Sequence, residues 1–216
     1  MTAADRNTDL AIRPPRQERT RQAWARVLDA GVALLEEGGY EAFTIAAVCE
    51  RAQVAPRALY DRTTSKDALF LAVYEHGYAR LLADEAVFGH PERWAGLDAR
   101  TLVVEAVTEL AGIVERHTAF LKPVVLLSGA HPEVYRRGKA NTARTADRFT
   151  AVVLAAAREI THPDPEAAVR LCFGTLFGAL MLRVGYGADF ASPVVDEDTY
   201  VRHLAQTAVR YLLARE

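Results

Sequence analysis

Apolar residues return every three or four positions along most of the chain, and the phase of that return resets at short polar, glycine or proline breaks. That is the mark of successive amphipathic helices. Trp24, Val27, Leu28, Gly31, Leu34 and Leu35 share one stripe, which Gly38-Gly39 stops. Thr44 is placed to cap a two-turn helix predicted over about 45–52, carried by Ile45, Val48 and Cys49. Val54 plugs the following turn, Pro56 opens a second short helix over about 55–61, and Ala58 and Leu59 face back onto the first. Ser65 makes another cap, Asp67 puts a carboxylate in the next first turn, and Leu69, Phe70, Val73 and Tyr74 continue as a longer helix. Two short helices joined by a tight turn, braced by longer ones, predict a helix-turn-helix whose outward face is Ala55, Pro56, Arg57, Tyr60 and Asp61.

Past residue 85 the pattern changes. A stretch rich in Gly and Pro around Phe88 to Gly96, with Trp94, reads as a loop leading to Asp98 and a helix striped by Leu102, Ala106, Leu110, Ile113 and His117. Residues 118–129 are apolar with Pro123 as a break, Pro132 opens a helix predicted to about 159, and two more follow over about 165–186 and 197–214. No strand period or internal repeat occurs, so the fold class is all-α with about nine helices.

The order RQAWARVLDAGVALLEEGGYEAFTI followed by AAVCERAQVAPRALYDRTTSKDAL resembles the N-terminal domain of TetR-family transcriptional regulators over about residues 18–70. Ala30, the Gly39-Tyr40 pair before Thr44, Leu59-Tyr60 and Ser65-Lys66-Asp67 carry the likeness together. The chain departs from the family at Gln53, where Gly is usual in the turn, at Ala55, where a small hydroxyl residue usually caps, and at Thr63, where an aromatic is usual. The resemblance implies a DNA-binding domain over 18–66 and a helical domain for ligand binding and dimerisation over 67–216, while the charge pattern ahead of them reads as a flexible basic arm over 1–17 or else a solvated tail. The resemblance also implies a homodimer on a near-palindromic double-stranded DNA operator, most often a repressor released by a small-molecule effector. Two heads about 34–36 Å apart would meet successive major grooves.

Residue chemistry refines this expectation. Thr44 offers a hydroxyl at a helix start to a phosphate. Tyr60 and Lys66 resemble the family's backbone-positioning residues, and Arg57 can fork onto guanine O6 and N7 unless it pairs with Asp61. Asp61 repels phosphate unless it accepts from cytosine N4 or restrains Arg57. The whole chain carries 26 Lys and Arg against 28 Asp and Glu, and residues 1–66 hold ten against nine. The sign favours the N-terminal end, where Arg13, Arg16, Arg19 and Arg21 crowd the approach to the first helix.

In the second domain, Trp94, Leu110, His117, Phe120, Phe149, Phe173 and Phe177 are the apolar and aromatic candidates for an effector lining, which suggests a lipophilic molecule. His117 reads first as an ordinary satisfied histidine, and Arg183 either pairs with a buried carboxylate or meets an anionic effector. Gly174 and Gly178 with Met181 on one nearly uncharged helix, and Val201, Leu204, Ala208 and Tyr211 on the last, are the candidate dimer faces. The chain is half hydrophobic and a quarter charged, as for a folded globular protein. The apolar run Leu171 to Leu182 is too short for a span and no secretory pattern opens the chain, so a cytoplasmic, non-membrane protein is expected. Cys49 and Cys172 read as buried thiols, and no metal or cofactor is expected. The chain lacks a GxSxG elbow, a P-loop, an HExxH pair and a dinucleotide fingerprint, leaving no positive sign of an enzyme. The competing class is a dimeric ligand- or protein-binding module that has lost specific DNA binding.

Overall fold

The computed structural model describes residues 18–191 and 193–214. The basic arm over 1–17 therefore lies outside the described residues, as does the Arg19 side chain. Among the described residues the chain forms ten α-helices, two 3-10 turns and no strand.

Helix α1 (Glu18–Ala42) is interrupted at Gly39, whose φ of 66° suits a residue without Cβ, so the run stops and restarts for a last turn. Helices α2 (Ile45–Ala52) and α3 (Pro56–Tyr60) follow, and α4 (Lys66–Asp84) leads away from them. Thr44 Oγ1 accepts from the Ala47 amide at 3.1 Å and Ser65 Oγ from the Ala68 amide at 3.1 Å, so both predicted caps form. Val27, Leu35, Phe43, Val48, Leu59, Leu69 and Val73 close a dry core beneath the short helices. At Gly31 a Cβ would lie 2.4 Å from Val73 Cγ2, so α1 and α4 touch at a point that only glycine fits.

The segment read as a loop after α4 is in fact a 3-10 turn (Glu85–Gly89) and a short helix α5 (Pro91–Trp94), which brings the helix count to ten. Helix α6 (Ala99–Arg116) is capped by Asp98, and α7 (Thr118–Ser128) runs through Pro123 instead of breaking there. Helix α8 (Pro132–Val153) ends in a 3-10 turn at 154–156, short of the predicted 159. Helix α9 (Pro165–Tyr186) packs on α7 and α8, while α10 (Glu197–Leu213) lies along α6. The buried side chains of the head and the body join in one cluster.

Helix α9 as a whole is long and apolar enough to cross a membrane, which the shorter run Leu171 to Leu182 did not indicate. Its inner face, with Val169, Phe173, Leu176 and Leu180, is nonetheless buried in protein, and a core helix passes the same test of length and composition. Cys49 and Cys172 are buried free thiols, and burial lifts the Cys172 thiol to about 11.

Candidate nucleic-acid interface and effector cavity

The short length of α3 decides what it displays. Of its five residues only Leu59 is buried, and Pro56, Arg57, Ala58 and Tyr60 face outward together with Ala55 and Asp61. Gln53 ends α2 in the left-handed conformation, φ 54° and ψ 48°, donating its amide to Cys49 and Glu50 carbonyls. Among the described residues it is the single non-glycine with positive φ, which places backbone strain in the turn between the two short helices. Ala55 starts α3 without a side-chain cap. Thr63, standing where the family has an aromatic, is buried and donates its hydroxyl to the Ser65 carbonyl at 3.0 Å, so a hydrogen bond replaces the ring contact.

Arg57 and Asp61 are both exposed, and among the described residues no ion pair joins them. Tyr60 is 59% exposed, so the phenol is not spent on the core. Thr44 stands exposed at the start of α2. Lys66 is half-buried, with Nζ 4.0 Å from the Tyr40 ring centroid and donating to the Tyr40 carbonyl at 3.3 Å. The Tyr40 hydroxyl in turn donates to Asp67 at 3.2 Å, and burial together with that carboxylate pushes the phenol up. Thr44 and the outward side of α3 are thus exposed, with Lys66 half-buried at the start of α4.

The second feature is a cavity of about 620 Å³ bordered by α4, α6, α7, α8 and α9. Of the residues expected to line it, Leu110, Phe173 and Phe177 do. Trp94 instead stacks on Phe88 at 5.7 Å and donates its indole N–H to the Val87 carbonyl. Phe120 fills the space over Gly77, and Phe149 packs between Phe88 and Phe173 as solid core. His117 ends α6 with Nε2 3.1 Å from Asp84, which also takes Arg116 at 3.0 Å and whose carboxyl is held below its usual range chiefly by that guanidinium. Arg183 pairs with Glu197 at 2.9 Å and lies over the Tyr200 ring, away from this cavity. Sequence reasoning missed Tyr74, Tyr78, Glu85, Asn141 and Thr145, which supply the polar part of the wall. Burial raises both tyrosines, Tyr74 to about 12, and keeps them neutral, the Tyr74 hydroxyl accepting from Asn141 Nδ2 at 2.9 Å.

The residues expected at a dimer face divide. Leu204 and Ala208 are buried within the chain and so do not serve an outer face. Val201 and Met181 are partly covered, and Gly174 and Met181 also border the cavity. Gly174 and Gly178 stand open, with nothing within 4 Å of a Cβ placed on either, and Tyr211 is 45% exposed. Among the described residues no group of three metal-ligating side chains gathers.

An exposed helix-turn-helix heading an all-helical body with a cavity defines the class, that of a helical protein with a DNA-reading type of head. Residues 27–73 match the family model described as bacterial regulatory proteins, tetR family, so this part of the chain is similar to the N-terminal domain of that family. Solved structures share the fold over most of the chain. A TetR-family transcriptional regulator from Mesorhizobium loti MAFF303099 superposes with a TM-score of 0.70 at 15% identity, covering 90% of this chain and 97% of that one. A regulatory protein of the tetR family from Rhodococcus RHA1 gives 0.66 at 18% identity over 90% and 98%. A TetR transcription regulator from Haloarcula marismortui gives 0.63 at 18% over 88% and 96%. No curated protein matches the sequence.

Proposed function

We propose that the protein is a cytoplasmic, homodimeric transcriptional repressor that reads a near-palindromic operator and leaves it when a small lipophilic effector fills the body. The observation that carries this reading is the course of α4. It begins with Lys66 beside the exposed α3 and, further along, walls the cavity with Tyr74, Tyr78 and Leu81. A molecule that favours a displaced α4 changes the position of the head, and it can shift the DNA equilibrium only by its differential affinity for the two arrangements. A cavity of about 620 Å³ falls within the range of small-molecule sites.

Pairing through α9 supports the dimer. Leu171, Gly174, Thr175, Gly178 and Leu182 make an outward stripe at helical spacing, with Leu171 64% exposed. A twofold interface there would cover it and set two heads for adjacent grooves.

Arg57 is assigned to base reading, while Thr44, Tyr60 and Lys66 are assigned to phosphates. The test is a gel shift with DNA upstream of the protein's own gene, repeated across salt concentrations. Arg57→Ala is expected to cost about 1–3 kcal/mol and relax sequence preference. Lys66→Ala is expected to weaken all duplexes alike and lower the salt slope by about one. Unchanged sequence preference in Arg57→Ala would remove the assignment of base reading. The strained Gln53 and uncapped Ala55 favour the second reading, a ligand-binding dimer without specific DNA binding, and no preference across a random duplex pool would establish it.

A further inference from the structure

One carboxylate stands in the lining of the cavity, which also includes Tyr135, Lys139 and Thr142. Glu85, the residue after α4, is 3% exposed and borders the cavity. Its Oε1 accepts from the Thr145 hydroxyl at 2.8 Å. Its Oε2 is buried and has no hydrogen-bond partner among the described residues. The guanidinium of Arg148 stands 3.8 Å from that same oxygen, near enough to offset its charge and too far to hydrogen-bond it. Arg144, close by, is turned to Asn141 Oδ1, while Asn141 Nδ2 donates to the Tyr74 hydroxyl at 2.9 Å.

Buried carboxylate oxygens are ordinarily hydrogen-bonded, and one left without a donor is costly. Burial pushes the Glu85 carboxyl up, Thr145, Arg148 and Arg144 pull the other way, and Oε2 lacks a proton donor. An ammonium would add a third positive charge beside Arg148 and Arg144, and a carboxylate would be repelled by Glu85. A neutral hydroxyl on an apolar body matches both the head position and the lining of Leu110, Phe173 and Phe177. Resting on the cavity's reading as the effector site, we infer that the effector is a lipophilic alcohol or phenol whose hydroxyl donates to Glu85 Oε2.

The experiment titrates the full-length protein calorimetrically with 4-hexylphenol, with 4-hexylanisole, which differs only in having the donor methylated, and with 4-hexylbenzylamine. The phenol is expected to bind roughly tenfold or more tighter than the ether, as befits a hydrogen bond to a charged acceptor. Glu85→Leu is expected to bring the two together while ether binding persists. Glu85→Gln, which keeps the shape and a neutral acceptor, is expected to retain a reduced preference, and it serves if the Leu variant does not fold. Equal binding of phenol and ether by the unmodified protein overturns the head-group assignment and leaves the cavity a ligand site. Tightest binding by the amine overturns it in favour of charge recognition. Binding of none of the three overturns the effector reading of the cavity itself.

Discussion

In the head, α1 and α4 meet at Gly31 with no room for a methyl group, and Leu59 is wholly enclosed. In the body the same α4 passes along a cavity of about 620 Å³. The head has one arrangement of close contacts, and such packing does not deform by small steps. The body leaves apolar wall without partners, so its helices gain contacts only when something enters. On the proposed function, a signal that begins in the loosely filled part would reach the head as a rigid displacement of α4, not as a change within the head.

Equal deletions on the two sides test that contrast most strongly. Leu59 and Leu110 are each 1% exposed, yet only Leu110 borders the cavity. Leu59→Ala is expected to cost about 3–5 kcal/mol by equilibrium denaturation, and Leu110→Ala about 2–3 kcal/mol because its site already lacks neighbours on one side. Equal losses would mean that the two parts are packed alike.

Glycines give a smaller and sharper probe. A Cβ at Gly77 on α4 would lie 2.3 Å from Phe120 Cε2, whereas one at Gly138 on α8, beside the cavity, meets nothing within 4 Å. Gly77→Ala is expected to destabilise by about 1–3 kcal/mol and to weaken operator binding without any ligand, by prising α4 from α7. Gly138→Ala is expected to stabilise by up to about 1 kcal/mol. The smallest effect belongs to the turn. Gln53→Gly is expected to gain up to about 1 kcal/mol of stability by relieving the left-handed backbone, read as a rise in the denaturation midpoint. A loss there would show that the Gln53 side chain contributes more than its conformation costs.

The head was legible because its signals are local. Thr44, Ser65 and Pro56 mark helix starts, and a five-residue helix with a single buried Leu59 leaves its other side chains outside. The cavity was not, since filled and empty space look alike in a list of apolar residues. Phe120, Phe149 and Trp94 pack into solid core away from the wall that they were expected to form. A better signal lay in polar residues at buried phases of the helical period. Glu85 follows Tyr74, Tyr78 and Leu81 down one side of α4, and Asn141 and Thr145 fall in line with Val134 and Phe149 on α8. Such residues are expensive to bury, so their presence on an inner stripe points to something that they bind. The outward stripe of α9 was readable in part, but Leu204 and Ala208 could not be told from it, because helices buried on one side and on two differ little in composition.

The contact between Lys66 and Tyr40 carries one more consequence. A lysine loses much torsional freedom when it is fastened to a phosphate, but here the ammonium is already moored to a ring and a carbonyl. Most of that ordering is completed during folding, so in the phosphate role proposed for it the side chain would arrive at the duplex with little left to surrender. Tyr40→Leu would remove the ring and keep the carbonyl contact, loosening this cation with the protein's charge unchanged and making the proposed association with DNA entropically dearer.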